Sequence, residues 1–290
     1  MSFTTGPGAS KRGALMPKAK RKRAAKKKSR FTAKTADKHT LYQLSVQAPD
    51  TEVDFLNGWF TKIRGKKPMS FREDFCGTAI LCAAWVKSHK ERTATGLDID
   101  RPTLDWGKKH NLAPLGDAAE RVTLLQQDVR AKVKQKHDIV CAFNFSYWIF
   151  KTREEMKKYF AHCRSGLAKG GLFFIDAYGG WESHEPMQEH RKIKEGFTYV
   201  WDQNTFDAIT HDVTNYIHFE FADGTKLPKA FRYDWRFWTM PELKELLLEA
   251  GFSKVHVYWD TSEDVTKDAY RQRTRAPNQP GWLAYLVAEG

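Results

Sequence analysis

Short apolar segments alternate with helix-forming segments along most of this chain, and no other feature constrains the fold as strongly. Five segments are rich in strand-forming apolar residues: MSFREDF, TATGLDI, RVTLLQQ, HDIVCAFNF and GGLFFIDAY. Strands that are nearly all apolar are usually covered on both faces, as in a parallel sheet between two layers of helices. The sequence therefore predicts an α/β fold with a mostly parallel sheet.

The pattern changes after Tyr178. Residues 197–238 have no helical period, and near their end aromatic and charged residues alternate, which is typical of a half-buried strand. We predict an antiparallel β insertion over about residues 180–238, after the fifth strand. A helix capped by Thr239 and Glu242 follows, and then KVHVYWD and WLAYLVA, which bring the predicted main sheet to seven strands.

The net charge of +13 is concentrated at one end of the chain. Residues 1–36 contain twelve Lys or Arg and no acid, so the remainder has 36 basic residues against 35 acidic ones. We predict a disordered basic tail over residues 1–36, followed by one domain over residues 37–290. Two roles remain open for the tail: non-specific contact with nucleic acid through residues 11–30, or a solubilising extension.

Composition also bears on the class of protein. The longest apolar run, residues 79–86, is too short to cross a bilayer, and the beginning of the chain lacks the apolar core of a secretory signal. The four cysteines form no CxxC pair and lie in or beside apolar runs, which is typical of reduced thiols in a cytoplasmic protein. The histidine spacing predicts no metal site.

Acidic residues follow the first three predicted strands. In an open parallel sheet, ligands bind beyond the carboxyl ends of the strands. Gly77 lies in the turn EDFCGTA, where the backbone can approach a ligand closely. Asp98 follows 21 residues later, close to the ~20-residue offset of a ribose-binding acid, and Asp128 could accept a hydrogen bond from an exocyclic amine. Because charges are rarely buried unpaired, this pattern indicates a ligand site.

These motifs resemble those of the class I S-adenosylmethionine-dependent methyltransferases. The family has an acid and a G-C-G-T-G turn after the first strand; here Glu73 or its neighbour Asp74 precedes Phe-Cys-Gly-Thr-Ala. The resemblance implies a Rossmann-like sheet and S-adenosyl-L-methionine as cofactor. It implies cofactor contacts from Glu73, Phe75, Cys76, Gly77, Thr78, Asp98, Ile99, Asp128, Val129 and Asn144. Phe75 replaces a glycine, which costs energy if its φ is positive.

A dinucleotide-binding fold is the competing explanation for a nucleotide site at this edge. That fold expects a G-x-G-x-x-G fingerprint, which the sequence lacks.

Candidate catalytic residues follow the fourth and fifth strands. The segment from Asn144 to Tyr147 loosely resembles the N-P-P-Y tetrad of enzymes that methylate amino groups, without its prolines. In the other interpretation the neighbouring aromatic residues are core and Asn144 caps a loop. Tyr178 is a third candidate, although a phenol with a pKa near ~10 is a base only when that pKa is lowered. His211 and His218, in the insertion, are further candidate bases.

Three functions are open at this point. The first is methyl transfer from S-adenosyl-L-methionine to a nitrogen or oxygen of a small molecule, with the insertion as a lid. The second is methylation of RNA or another nucleic acid with help from the basic tail. The third is a non-catalytic nucleic-acid-binding protein whose cofactor site is degenerate.

Overall fold

The structure is a computed structural model that describes residues 31–261 and 270–290. Within these ranges the chain forms six α-helices and twelve β-strands. In chain order they are α1 Lys38–Val46, α2 Pro49–Arg64, β1 Ser70–Asp74, α3 Ile80–Lys87, β2 Thr93–Asp98, α4 Arg101–Gly107, β3 Val122–Gln126, β4 His137–Ala142, α5 Arg153–Ser165, β5 Leu167–Gly179, β6 Met187–Ile193, β7 Phe197–Phe206, β8 Asp212–Phe221, β9 Lys226–Arg236, α6 Met240–Glu249, β10 Lys254–Asp260, β11 Tyr270–Gln272 and β12 Trp282–Glu289. None of the helices in the described ranges has both the length and the apolar character needed to cross a membrane.

The main sheet has the strand order β11-β10-β12-β5-β4-β1-β2-β3. Strands β1 to β5 pair in parallel, whereas β12 pairs antiparallel with β5 and with β10. The predicted α/β class and mostly parallel sheet are confirmed. The sheet has eight strands rather than seven because the three-residue β11 adds to the edge of β10.

The core lies on both faces of this sheet, as the apolar strands predict. Adjacent residues of β5, Phe173 and Phe174, are fully buried in different apolar clusters. Helix α5 begins with a capping box in which Thr152 and Glu155 satisfy each other's backbone N–H groups. Helix α6 begins in the same way, as its sequence indicated.

The predicted insertion forms a separate four-stranded antiparallel sheet with the order β6-β7-β8-β9. Its apolar cluster includes Phe197, Ile217 and Phe219, and it is completed by Leu41 of α1 and by Phe31. Residues 31–36, which the sequence assigned to the basic tail, therefore belong to this packed region. Residues 1–30 of the predicted tail lie outside the described residues.

Candidate active site

The turn after β1 contains three residues with positive φ, the conformation that favours glycine, and only one of the three is a glycine. Phe75, Gly77 and Ala79 have φ values of 59°, 51° and 56°. The left-handed conformation costs a residue other than glycine about 1–2 kcal/mol. The ring of Phe75 packs against Phe150 and Tyr159, with centroids 6.1 and 5.9 Å away, and this packing offsets part of the strain. Phe75 and Ala79 therefore both hold a backbone conformation that favours glycine.

Hydrogen bonds connect this turn to the end of β2. The N–H of Gly77 donates to Oδ2 of Asp98 at 2.7 Å, and the N–H of Asp100 donates to Oδ1 at 2.9 Å. The N–H of Cys76 donates to the Leu97 carbonyl at 2.9 Å. Burial raises the pKa of Asp98, and the two backbone donors oppose that rise. The Asp98 carboxylate is thus fixed in position at the strand end.

The structure distinguishes Glu73 from Asp74, which the sequence could not. Asp74 accepts from Arg72 Nε at 2.7 Å and from the Tyr159 hydroxyl at 3.0 Å, so it serves a buried ion pair in the core. Glu73 lines a cavity and accepts from the Cys82 thiol at 3.1 Å. Burial raises the pKa of Glu73 to about 8. Glu73 is therefore the acid that is available to a ligand.

This cavity, here called the strand-end cavity, has a volume of about 300 Å³. It lies at the carboxyl ends of the main strands. Seven of the ten predicted cofactor residues line it: Glu73, Phe75, Cys76, Gly77, Thr78, Asp98 and Asn144.

The other three predicted cofactor residues do not line the strand-end cavity. Ile99 is 72% exposed, and Val129 is buried with its carbonyl accepting from Arg72. Asp128 is held by Arg130, whose Nη2 donates to Oδ2 at 2.7 Å, and this hydrogen bond lowers the pKa of Asp128. The predicted convergence of three acids is thus seen for Glu73 and Asp98 and not for Asp128, because a cation two residues away binds its carboxylate.

Helix α1 contributes residues that the sequence analysis missed. His39 and Tyr42 of α1, and Gln47 directly after it, line the strand-end cavity. Gln43 Nε2 donates to Thr78 Oγ1 at 2.7 Å. A signal for the helix was present in the sequence, because Asp37 is an N-cap that accepts from the N–H of Thr40.

A second cavity of about 290 Å³, here called the aromatic cavity, adjoins the first. It is formed by α1, the end of β5, the insertion strands and the start of β12. Four residues line both cavities and form their common wall: Tyr42, Asn144, Tyr233 and Trp235. The two cavities therefore adjoin each other at these four side chains.

Asn144 occupies this wall in a constrained conformation. Asn144 and the next residue, Phe145, both have φ near 57°, and the Asp176 carboxylate accepts from their N–H groups at 2.7 and 3.0 Å. Asp176 is buried, and burial raises its pKa to about 7. Its role is to fix the loop that places Asn144 between the two cavities.

The structure does not support the catalytic role predicted for Tyr147. The residue is fully buried, its hydroxyl donates to the Asp176 carbonyl at 2.6 Å, and it is not among the described residues that line either cavity. The loop turns this ring into the core. Trp148 therefore follows the alternative interpretation, in which the neighbouring aromatic residues are core, and Tyr147 is in the core with it.

Tyr178 lines the aromatic cavity, and its pKa is raised, whereas a base requires a lowered one. Burial raises its pKa, so its hydroxyl remains protonated at neutral pH and accepts a long hydrogen bond of 3.4 Å from Asn215. His211 and His218 line neither cavity among the described residues. The His218 ring instead bonds to Asp202 Oδ2 at 2.9 Å and accepts from the N–H of Lys229 at 2.8 Å.

The side chains that could bind a metal are not grouped in the described residues. In residues 31–261 and 270–290 no group of three His, Cys, Asp or Glu side chains could hold a metal ion. The four cysteines are buried free thiols.

Several solved structures with a similar fold are methyltransferases. An S-adenosylmethionine-dependent methyltransferase from Clostridium acetobutylicum aligns with a TM-score of 0.65 and 15% identity, over 87% of this chain and 96% of that chain. The chain has the fold of the class I S-adenosylmethionine-dependent methyltransferases. The amino pentose methyltransferase CalS10 from Micromonospora echinaspora aligns with a TM-score of 0.61 and 14% identity, over 87% of this chain and 95% of that chain.

A third methyltransferase aligns over a larger share of this chain. The sugar N-methyltransferase KedS8 from Streptoalloteichus aligns with a TM-score of 0.60 and 14% identity, over 98% of this chain and 99% of that chain. No protein-family model and no curated protein matches the sequence. At these identities the similarity between this chain and the methyltransferases concerns the fold.

Within this methyltransferase fold, Glu73 and Asp98 could bind a ligand that carries both an adenosine and an amino acid group. Glu73 is a buried carboxyl group that faces the strand-end cavity and has a thiol as its side-chain partner. Such a group suits a ligand ammonium, because a buried carboxylate gains most from a charged donor. Asp98 has lone pairs beyond those used by Gly77 and Asp100, and these can accept from ribose hydroxyls.

Proposed function

We propose that this protein is an S-adenosylmethionine-dependent methyltransferase that acts on a nitrogen or oxygen atom of a small molecule. The observation that carries the proposal is the pair of adjoining cavities with Asn144 in their common wall. One cavity has the acids that suit the cofactor, and the other has the enclosure that suits an acceptor. Methyl transfer requires both ligands to meet in line, which adjoining cavities allow.

The strand-end cavity is the cofactor site in this proposal. Asp98 binds the ribose hydroxyls, Glu73 binds the ammonium group, and the turn from Phe75 to Thr78 surrounds the sulfonium side. The bound cofactor supplies an activated methyl group: its S–CH3 bond breaks with the electron pair left on sulfur while the acceptor's lone pair forms the new bond. The residues of the chain have to align the acceptor and exclude water.

The aromatic cavity is the acceptor site. The insertion covers it, since Tyr199 and Trp201 of β7 and Tyr233 and Trp235 of β9 line it. Its volume of about 290 Å³ lies at the lower limit of small-molecule sites, about 300–1,000 Å³. This size favours a small acceptor over a polymer. The names of the similar structures, an amino pentose methyltransferase and a sugar N-methyltransferase, agree with a small acceptor.

Asn144 is the residue best placed to orient the acceptor. It lines both cavities, and Asp176 fixes its backbone, so its side-chain amide can hydrogen-bond an amine or hydroxyl at the boundary. The partly buried tyrosines of the aromatic cavity keep their protons, because desolvation raises the pKa of Tyr42, Tyr178 and Tyr233. They can donate hydrogen bonds but do not remove a proton from the acceptor.

Isothermal titration of the purified full chain with S-adenosyl-L-homocysteine tests the cofactor site. We expect a dissociation constant in the micromolar range, equivalent to about −8 kcal/mol. Absence of binding by the wild-type chain would overturn the proposal. Incubation of a cell extract with the protein and methyl-labelled cofactor, followed by mass spectrometry, then identifies the acceptor. Label found only in RNA would contradict a small-molecule acceptor.

A further inference from the structure

The aromatic cavity combines aromatic rings with negative charge. Eight of the twenty residues that line it are aromatic, and six of them come from α1, β5, β7 and β9: Tyr42, Tyr178, Tyr199, Trp201, Tyr233 and Trp235. Glu182 and Glu189 are the charged side chains among the described lining residues, which include no Lys, Arg or His. Both glutamates are exposed. The surface of the cavity is therefore electron-rich, with carboxylates where it meets solvent.

Tyr233 and Trp235 stack on each other with their centroids 4.4 Å apart, and Trp201 packs against both of them. The centroid of Trp201 lies 6.0 Å from that of Tyr233, 6.4 Å from that of Trp235 and 6.5 Å from that of Tyr178. The planes of Tyr178 and Trp201 are inclined by 88°. Trp201 is thus the central ring of the group and is only partly buried.

We propose that the aromatic cavity binds the cationic nitrogen of an aliphatic amine, and retains that nitrogen as it becomes methylated. The inference rests on the proposed function and narrows the acceptor to amines. The negative faces of aromatic rings attract a cation, and aromatic cages are the usual receptors for quaternary ammonium groups. The exposed glutamates attract the cation to the opening. No basic side chain is among the described residues that line the cavity, and the nearby Arg191 guanidinium lies 5.1 Å from the centroid of the Tyr199 ring.

The same surface accommodates both substrate and product. The ammonium first loses one proton to solvent, and the neutral nitrogen lone pair then forms the bond to the methyl carbon as sulfur keeps the electrons of the old bond. The product nitrogen is again a cation with one N–H fewer. Ring faces need no N–H group to attract it, so a dimethyl or trimethyl ammonium still fits the site.

A choline titration separates recognition of charge from recognition of shape. Choline and its neutral carbon isostere, 3,3-dimethylbutan-1-ol, are titrated into the full chain saturated with S-adenosyl-L-homocysteine. We expect choline to bind at least tenfold more tightly than the isostere. The Trp201→Leu variant should lose most of this preference, and Trp201→Phe should retain most of it. Trp181→Leu, which removes an exposed tryptophan outside the cavity lining, is the matched control and should bind both as the wild type does.

Each outcome decides one claim. Equal affinity for choline and the isostere, or an unchanged preference in Trp201→Leu, would overturn the amine inference. The methyltransferase proposal would stand in that case, provided that S-adenosyl-L-homocysteine binds. Failure of S-adenosyl-L-homocysteine to bind would overturn the methyltransferase proposal. The choline preference, measured without it, would then still test whether the cavity binds cations.

Discussion

The backbone N–H of Gly77 lies 2.7 Å from Oδ2 of Asp98, so the turn after β1 and the end of β2 form one hydrogen-bonded unit. In the proposed site this same carboxylate binds the ribose. Asp98→Ala would remove a charged acceptor from the ligand and leave the Gly77 N–H without its partner. Each hydrogen bond to a charged group contributes about 1.5–3 kcal/mol.

We therefore expect Asp98→Ala to weaken S-adenosyl-L-homocysteine binding by at least about tenfold in isothermal titration. Asp105→Ala is the matched control, because Asp105 is an exposed acid of α4 paired with Arg101. This control should bind as the wild type does. Wild-type affinity in Asp98→Ala would contradict the assignment of the strand-end cavity.

The left-handed backbone of Ala79 gives a stability prediction. Ala79→Gly relieves about 1–2 kcal/mol of backbone strain. It also removes a buried methyl group, which contributes about 0.8 kcal/mol. The unfolding free energy of the variant should therefore stay within about 1 kcal/mol of the wild-type value. Ala84→Gly, within α3, has no such relief and should cost about 1–2 kcal/mol. Urea denaturation of both variants measures the difference. An equal loss in the two variants would show that the turn is unstrained.

The strand-end site could be located from the sequence because its signals are local. Apolar strands followed by helices fix a parallel sheet, and the carboxyl ends of such strands lie at one edge. The position of Asp98 after Gly77 then follows from chain spacing alone. The sequence could not show that Phe75 is left-handed, because residues other than glycine avoid that conformation unless tertiary packing compensates.

The remaining misses depend on contacts that spacing does not encode. Asp128 lies at the predicted strand end, but its hydrogen bond with Arg130 depends on the side-chain conformation of Arg130, which the sequence does not specify. Tyr147 is separated from the cavities by the path of one loop, which depends on Asp176 from another strand. Helix α1 lacks an apolar stripe, with only Leu41 and Ser45 buried among its residues, so periodicity did not reveal it.

The raised pKa of Glu73 predicts that the unfolding free energy of the cofactor-free protein depends on pH. Its pKa rises from 4.5 to about 8 on burial, so below pH 4.5 both folded and unfolded chains are protonated and stability is complete. Between about pH 4.5 and 8 the unfolded chain ionises first, and stability falls by up to about 1.4 kcal/mol per pH unit. Above pH 8 this loss levels off.

Glu73→Gln should remove this part of the pH dependence. The unfolding free energy of the variant minus that of the wild type is expected to increase from pH 5 to pH 8, as measured by urea denaturation at each pH. The difference isolates Glu73 from other buried acids, such as Asp176. Parallel curves for the two proteins would show that Glu73 is ionised in the folded chain.

The Asp128–Arg130 ion pair predicts that removal of the Arg130 side chain raises the affinity for the cofactor. Both side chains are nearly half exposed, and an exposed ion pair contributes about 0–1 kcal/mol. If Asp128 turns towards the adenine amine on binding, as the family resemblance implies, this pair has to break. Arg130→Ala should then raise the affinity for S-adenosyl-L-homocysteine by up to about fivefold, and Asp128→Ala should lower it. A lower affinity in Arg130→Ala would instead show that Arg130 itself contacts the ligand.

Tyr147 and Tyr178 give opposite predictions although both were candidate catalytic residues. Tyr147→Phe removes the hydrogen bond to the Asp176 carbonyl and should lower the unfolding free energy by about 1 kcal/mol, with little change in ligand binding. Tyr178→Phe removes only a 3.4 Å contact with Asn215 and should leave stability nearly unchanged. Because Tyr178 lines the aromatic cavity, its variant is the one expected to alter acceptor binding. A Tyr147→Phe variant with wild-type stability but much weaker methyl transfer would return Tyr147 to the active site, since only contact with a reacting group explains that combination.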